Sequence, residues 1–327
     1  MKKLPQIKTP VKILISGLLL AFLWTRMDKG ALQDATHMVH ASSWFYAVFF
    51  IIAQLVLLSL RWMYLINVGH FRMNFKDSVQ VSLASQIANM LFLTTVSGIA
   101  VRVAMAYQHG ASLFKSVFAT AIDRIMTLAA LLLLCAFFLP SLTNYIDASL
   151  SKNIGLFVAA MILVLFVLTP LLAITVANKI PARIFSKGNM RSGQRYIKLL
   201  FGNYGLLGKI LSVSLLGQMS FFAAVYCIAL SSGIELGFLQ IMIVLPAIAL
   251  VSSMPFSFGG WGIREGAFIY GLGLLNVPME TAFSVSVQIG LVSLIAMMLA
   301  GIPALVSSDM MTSKKRMMKA FAKINNK

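Results

Sequence analysis

The sequence has few charged residues, and acidic residues are the scarcest of them. Only 11% of its 327 residues are charged, whereas a typical soluble domain has about 25%. Hydrophobic residues make up 59% of the chain, which is more than a water-soluble core of this size can bury. Two cysteines are too few for a secreted disulfide scaffold. These shortages exclude a soluble enzyme, such a scaffold and a disordered basic tail, and they indicate a polytopic membrane protein.

The charge that is present is mostly positive, with 27 Lys and Arg against 9 Asp and Glu and a net charge of +18. In a soluble chain this excess would indicate a nucleic-acid partner, but in a membrane protein basic residues gather on cytoplasmic loops. They cluster before residue 13, over 179–209 and in the tail at 311–327. We therefore expect no nucleic-acid partner, a cell (inner or plasma) membrane location, and cytoplasmic N- and C-termini.

Long apolar segments predict about six spans, because a spanning helix needs roughly 20 apolar residues. A shorter segment, 11–25, opens the chain and is expected to be an uncleaved anchor, since no small-x-small cleavage pattern follows it. The five longer segments are 43–67, 117–139, 153–177, 209–231 and 282–306.

Two further apolar segments are interrupted and predict helical hairpins. Residues 79–100 contain several polar residues, and residues 237–275 are broken by Pro246, Pro255 and a glycine cluster. The flanking loops require each segment to begin and end on the same side of the membrane. We expect two re-entrant hairpins that enter from opposite faces.

The two hairpins share a short pattern that predicts an inverted repeat. Residues 97–102 (SGIAVR) resemble residues 259–264 (GGWGIR), 162 positions later, and the neighbouring spans keep nearly the same offset. The prediction is an all-α domain over 1–310, with repeat 1 at about 43–139, a connector span at 153–177 and repeat 2 at about 209–306. Transporters use inverted repeats to place a site near the midplane. The alternative is that two glycine-rich helix breaks look alike by chance.

Two of the nine acidic residues, Asp123 and Glu265, fall in or at these membrane segments. Arg124 and Arg264 are their sequence neighbours, and Arg102 ends the first hairpin. Such groups are costly in lipid and persist when they are paired or face a hydrated cavity. Their net positive charge favours an anionic lipid head group, which arginine can hold with two hydrogen bonds. The alternatives are that Arg102 lies at the cytoplasmic interface and that the 123–124 pair is structural.

Glycines at 259, 260 and 262 allow close backbone approach. A half-helix beginning near Gly262 would offer free N–H groups to a phosphate. No catalytic residue, cofactor or metal site is expected.

Residues 255–265 (PFSFGGWGIRE) resemble the P-x-S-x-G-G-x-G-x-R-E motif of the lysylphosphatidylglycerol synthase transmembrane (flippase-like) family. An earlier family motif matches only in part, because Thr94, Ile99 and Thr127 depart from its usual residues. The positions that match the two motifs are Pro255, Ser257, Gly259, Gly260, Gly262, Arg264 and Glu265 in the later one, and Gly98, Arg102, Asp123 and Arg124 in the earlier one.

The resemblance covers about residues 10–310 and implies a protein that flips a phospholipid or a polyprenyl-linked glycolipid. The synthases carry a soluble catalytic domain after this region, whereas here a short basic tail follows, so we do not expect their aminoacyl transfer. Two alternatives stay open. One is an accessory or scaffold protein for a cell-envelope enzyme, and the other is a membrane-embedded transferase with Glu265 or Asp123 as base.

Overall fold

The computed structural model describes residues 41–91, 95–146, 155–156, 158–161, 195–253 and 262–306. Regular structure in these ranges is helical, as predicted, and residues 195–201 are also helical. Eight helices of more than ten residues lie there: α1 (Ala41–Ile66), α2 (Phe75–Leu91), α3 (Thr95–Gln108), α4 (Leu113–Leu142), α5 (Tyr204–Ser231), α6 (Phe238–Ser252), α7 (Ile263–Gly273) and α8 (Met279–Val306).

Four of these helices, α1, α4, α5 and α8, are long and apolar enough to cross a membrane. They correspond to four of the predicted spans and begin two to five residues earlier than predicted. The prediction of an all-α polytopic membrane protein is confirmed. The predicted spans 11–25 and most of 153–177 lie outside the described residues.

The first interrupted segment forms a pair of packed helices, α2 and α3. Gly98 lies in α3 where the two helices approach closely, because a Cβ there would overlap Asn89 and the Ser85 carbonyl oxygen. The Gly98 N–H donates to Asn89 Oδ1 at 2.8 Å, and the Ser97 hydroxyl donates to the Ala88 carbonyl at 2.9 Å. The sequence predicted that this hairpin ends at about residue 100, but α3 continues to Gln108.

The second interrupted segment also forms a packed pair, α6 and α7. Pro246 lies inside α6. α7 begins directly after Gly262, whose φ of 88° is in the left-handed region that favours glycine. Residues 254–261, which include Pro255, Ser257, Gly259 and Gly260, lie outside the described residues.

The packing of helices in the first half repeats in the second. The α1–α2 contact corresponds to α5–α6, α3–α4 corresponds to α7–α8, and α4–α6 corresponds to α8–α2. The two first helices, α1 and α5, pack on each other most extensively. In a two-fold arrangement, the first helix of one half takes the place of the first helix of the other, so a direct contact between α1 and α5 is expected.

The direction of α5 relative to α1 shows how the halves are oriented. Gly217 lies against Leu58 and Leu57, whereas Ser214 lies against Arg61. Residue numbers rise along α1 while they fall along α5, so the helices are antiparallel. This is the arrangement that an inverted repeat predicts for its two equivalent helices.

The buried apolar residues fall into two clusters, which we call the Trp62 cluster and the Phe268 cluster after a fully buried member of each. The Trp62 cluster gathers the end of α1 with parts of α2, α3, α4 and residues 196–200. The Tyr196 hydroxyl donates to the Leu65 carbonyl at 3.0 Å. Burial raises the pKa of this phenol above its usual range, so Tyr196 remains a neutral donor that fastens residues 195–201 to α1.

Candidate functional site

Three charged side chains from three helices meet in the first half, and we call them the ionic triad: Arg61, Arg102 and Asp123. Arg61 Nε donates to Asp123 Oδ1 at 2.8 Å, and Arg102 Nη1 donates to Asp123 Oδ2 at 2.7 Å. Each residue is at most 6% exposed. One carboxylate therefore accepts charged hydrogen bonds from two arginines away from solvent.

The surroundings of the triad are partly polar. Arg61 Nη1 also donates to the Ser214 hydroxyl of α5 at 3.2 Å. The guanidinium carbon of Arg102 lies 4.9 Å from the centroid of the Trp62 ring, a cation–π distance. Among the described residues, the buried Arg102 Nε and Trp62 Nε1 have no hydrogen-bond partner. Arg102 and its neighbour Trp62 thus keep one donor each that the described part of the chain does not use.

Sequence reasoning missed Arg61 as a site residue. Arg61 lies five residues before the end of α1 and is 2% exposed. One signal was available, because the predicted span 43–67 already contained this arginine. Arg102 lies inside α3 and is buried in an ion pair with Asp123, which argues against the interfacial alternative.

The charged pair of the second half is held at the start of α7. Glu265 Oε2 accepts the Gly262 N–H at 2.6 Å, and Glu265 Oε1 accepts from Arg264 Nη2 at 2.7 Å. Glu265 is fully buried, whereas the Arg264 side chain is 24% exposed. The carboxylate therefore fixes the first turn of α7 and the adjacent guanidinium together.

A notch in α8 receives the Arg264 guanidinium. A Cβ at Gly290 would lie 2.8 Å from Arg264 Nη2, so any larger side chain would displace the arginine. Gly290 is eleven residues from the start of α8, and Asp123 is ten residues from the start of α4. These depths are about 15–17 Å along each helix. Arg102 thus reaches α4, and Arg264 reaches α8, at nearly equal distances from the start of each helix. The predicted topology places these two helix starts on opposite faces of the membrane.

A neutral network occupies the second half where the first has its carboxylate. Gln288 of α8 is 165 positions after Asp123, the offset between their two helices in the predicted repeat. Its Oε1 accepts the Trp44 indole N–H at 3.2 Å, and its Nε2 donates to the hydroxyls of Ser284 and Ser232 at 2.9 and 3.2 Å. Gln288 therefore joins α8 to α1 and to the residue that follows α5, without carrying charge.

The structure brings the predicted head-group residues together in two pairs, Arg102 with Asp123 and Arg264 with Glu265. Asp123 and Arg124 diverge, because consecutive residues of a helix do not face each other. Arg124 is exposed on the outside of α4, and among the described residues its side chain has no hydrogen bond or ion pair. The head-group role of these residues stays a prediction.

A bundle of long apolar helices that holds paired charges in its interior is a multi-pass membrane protein. Residues 11–301 match the family model described as "Lysylphosphatidylglycerol synthase TM region", and the chain belongs to this family. No curated protein and no solved structure matches it. Family membership gives the chain a function related to membrane lipid.

Proposed function

We propose that this protein moves an anionic phospholipid or a polyprenyl-linked glycolipid between the leaflets of a bacterial-type inner membrane. The observation that supports this most is the placement of Arg102 and Arg264. Each belongs to one hairpin, and each reaches the equivalent helix of its half at nearly the same depth. Alternating tilts of two inverted halves can expose a midplane site to each leaflet in turn.

The charges of the two halves suit a lipid phosphate. Arg264 is the more accessible arginine, and its partly exposed guanidinium can donate to a phosphate oxygen while Glu265 holds its other edge. Arg102 serves the other half, where Asp123 balances its charge. The two carboxylates also offer acceptors to a head-group amine. The lipid tails remain in the bilayer while the head group crosses along these polar residues.

The test is lipid flux in proteoliposomes that contain the purified full chain and a fluorescent phosphatidylglycerol. Arg264→Ala is expected to slow translocation at least about tenfold, because a hydrogen bond to a charged group contributes about 1.5–3 kcal/mol. Arg195→Ala is the matched control, since it removes an exposed arginine outside both hairpins, and it should leave the rate within about twofold. Flux that is unaffected by both Arg264→Ala and Glu265→Ala would remove this site assignment.

Two other results would redirect the assignment. A partner enzyme that co-purifies stoichiometrically, without lipid flux, would favour an envelope scaffold. Covalent modification of a lipid in detergent, where there are no leaflets, would favour a transferase.

We also propose that both termini face the cytoplasm. The turn at His109 would then lie inside and the turn at Glu235 outside, and both residues are exposed. Single cysteines at these positions, in a chain without Cys135 and Cys227, should react with a membrane-impermeant thiol reagent from opposite sides. Reaction from one side would contradict the topology.

A further inference from the structure

The ionic triad carries one more positive charge than its carboxylate can balance. Asp123 is shared by Arg61 and Arg102, and all three residues are buried. Arg124 is the next residue along α4 and adds positive potential nearby. Burying an uncompensated charge is expensive, and hence this part of the bundle attracts an anion.

The unused donors show which kind of anion fits. Arg102 Nε and Trp62 Nε1 are buried N–H groups without a partner among the described residues. They lie on two side chains that stack at 4.9 Å. A carboxylate has two oxygens, and those of Asp123 are already occupied by the two arginines. A phosphate group has more acceptor oxygens than a carboxylate and can receive donors from several directions.

We propose that Arg61, Arg102 and Trp62 form a phosphate-binding site in which Asp123 is a built-in counterion. A phosphate enters beside the two guanidinium groups and accepts from the donors that Asp123 leaves unused, Arg102 Nε and Trp62 Nε1. Its negative charge balances the second arginine, while Asp123 keeps both ion pairs whether or not the phosphate is bound.

This inference deepens the proposed function, because it assigns the phosphate of the transported lipid to the first half. It also gives Arg61 a role that the two sequence motifs do not include. Arg61 is placed for this role by its second hydrogen bond, since Ser214 of α5 fixes the guanidinium from the other side.

The experiment measures thermal unfolding of the purified full chain in a neutral detergent, with three additives titrated separately. They are inorganic phosphate, a short-chain phosphatidylglycerol, and a short-chain diacylglycerol that has no phosphate. For the wild type we expect a saturable rise in Tm with phosphatidylglycerol and no saturable rise with diacylglycerol. Inorganic phosphate with the same effect would mean that the site selects the phosphate alone. An effect of the lipid only would mean that the acyl chains or the glycerol also bind.

Two variants locate the effect. Arg61→Gln leaves Arg102 and Asp123 as a neutral pair, so it is expected to fold and to raise the half-saturating phosphatidylglycerol concentration at least about tenfold. Asp123→Asn removes the internal counterion, so its Tm should rise more steeply with the phosphate-bearing lipid than that of the wild type. Arg195→Gln is the control and should respond as the wild type does. An unchanged half-saturating concentration in Arg61→Gln would overturn the proposal, whether or not Asp123→Asn folds.

The binding readout is independent of transport. If Arg61→Gln loses the response while the wild type shows no flux, the phosphate site stands and the translocation proposal fails. If the wild type transports lipid while Arg61→Gln binds it normally, the phosphate site fails and the translocation proposal stands.

Discussion

The two halves of the molecule have the same helix arrangement but neutralise their arginines differently. In the first half, Arg102 of α3 pairs with a carboxylate on the next helix, Asp123 of α4. In the second half, Arg264 pairs with Glu265, the next residue of its own helix. The shared helix packing thus sets the position of the hairpin arginine in each half. Its counterion comes from the neighbouring helix in the first half and from the same helix in the second.

The backbone beside the arginine also differs between the halves. α3 is continuous from Thr95 through Arg102, so its N–H groups near the arginine are used within the helix. α7 begins at Ile263, one residue before Arg264, so the N–H groups of its first turn have no partner within the helix. The N–H of Gly262, directly before this turn, donates to Glu265. The hairpin arginine of the second half therefore lies at a helix start, whereas that of the first lies inside a helix.

The largest predicted effect comes from removing the carboxylate of the first half. Asp123→Ala leaves two buried arginines without their common partner, and in phosphate-free buffer it should destabilise the protein by about 3–5 kcal/mol. Glu265→Gln keeps an acceptor for the Gly262 N–H and leaves an arginine that reaches solvent, so about 1–2 kcal/mol is expected. Reversible unfolding in mixed micelles measures both. Equal losses would contradict the different ways in which the halves neutralise their arginines.

An intermediate effect is predicted for glycines of the two hairpins. A Cβ at Gly98 would overlap Asn89 and the backbone of α2, whereas a Cβ at Gly266 of α7 meets nothing within 4 Å. Gly98→Ala should therefore cost about 1–3 kcal/mol, the usual range for overpacking. Gly266→Ala is the matched control and should be neutral or stabilising by up to about 1 kcal/mol. The same unfolding assay compares them, and a stable Gly98→Ala would mean that α2 and α3 are free to separate.

The smallest effect on stability is predicted for Arg124. Its side chain is exposed and has no ion pair or hydrogen bond among the described residues, so Arg124→Gln should change stability by no more than about 0.5 kcal/mol. If it contacts lipid head groups, the same substitution will lower the flux of anionic lipid while Tm is unchanged. A large loss of stability would place Arg124 in the packing of the bundle instead.

Much of the fold could be predicted because apolar length and interruption are local properties of the sequence. The four described spans and both hairpins followed from runs of apolar residues and their polar, glycine and proline breaks. The ionic triad could not be predicted in full, since Arg61 and Asp123 are 62 positions apart and meet only through helix packing. Arg61 was missed because it stands near the end of a predicted span, followed by other basic residues. The Gly290 notch was missed because a glycine in an apolar helix has no sequence signal for what packs against it.

Pro246 gives the two hairpins different mechanical properties. Its ring nitrogen cannot donate to the Met242 carbonyl four residues earlier, so the hydrogen-bond ladder of α6 is interrupted near the middle of that helix. Its counterpart α2 contains no proline and keeps its ladder there. Sharp helix bends concentrate at proline. We therefore expect α6 to bend near Pro246, whereas α2 stays straight. Any tilting of one half against the other is therefore easier to absorb in the second hairpin than in the first.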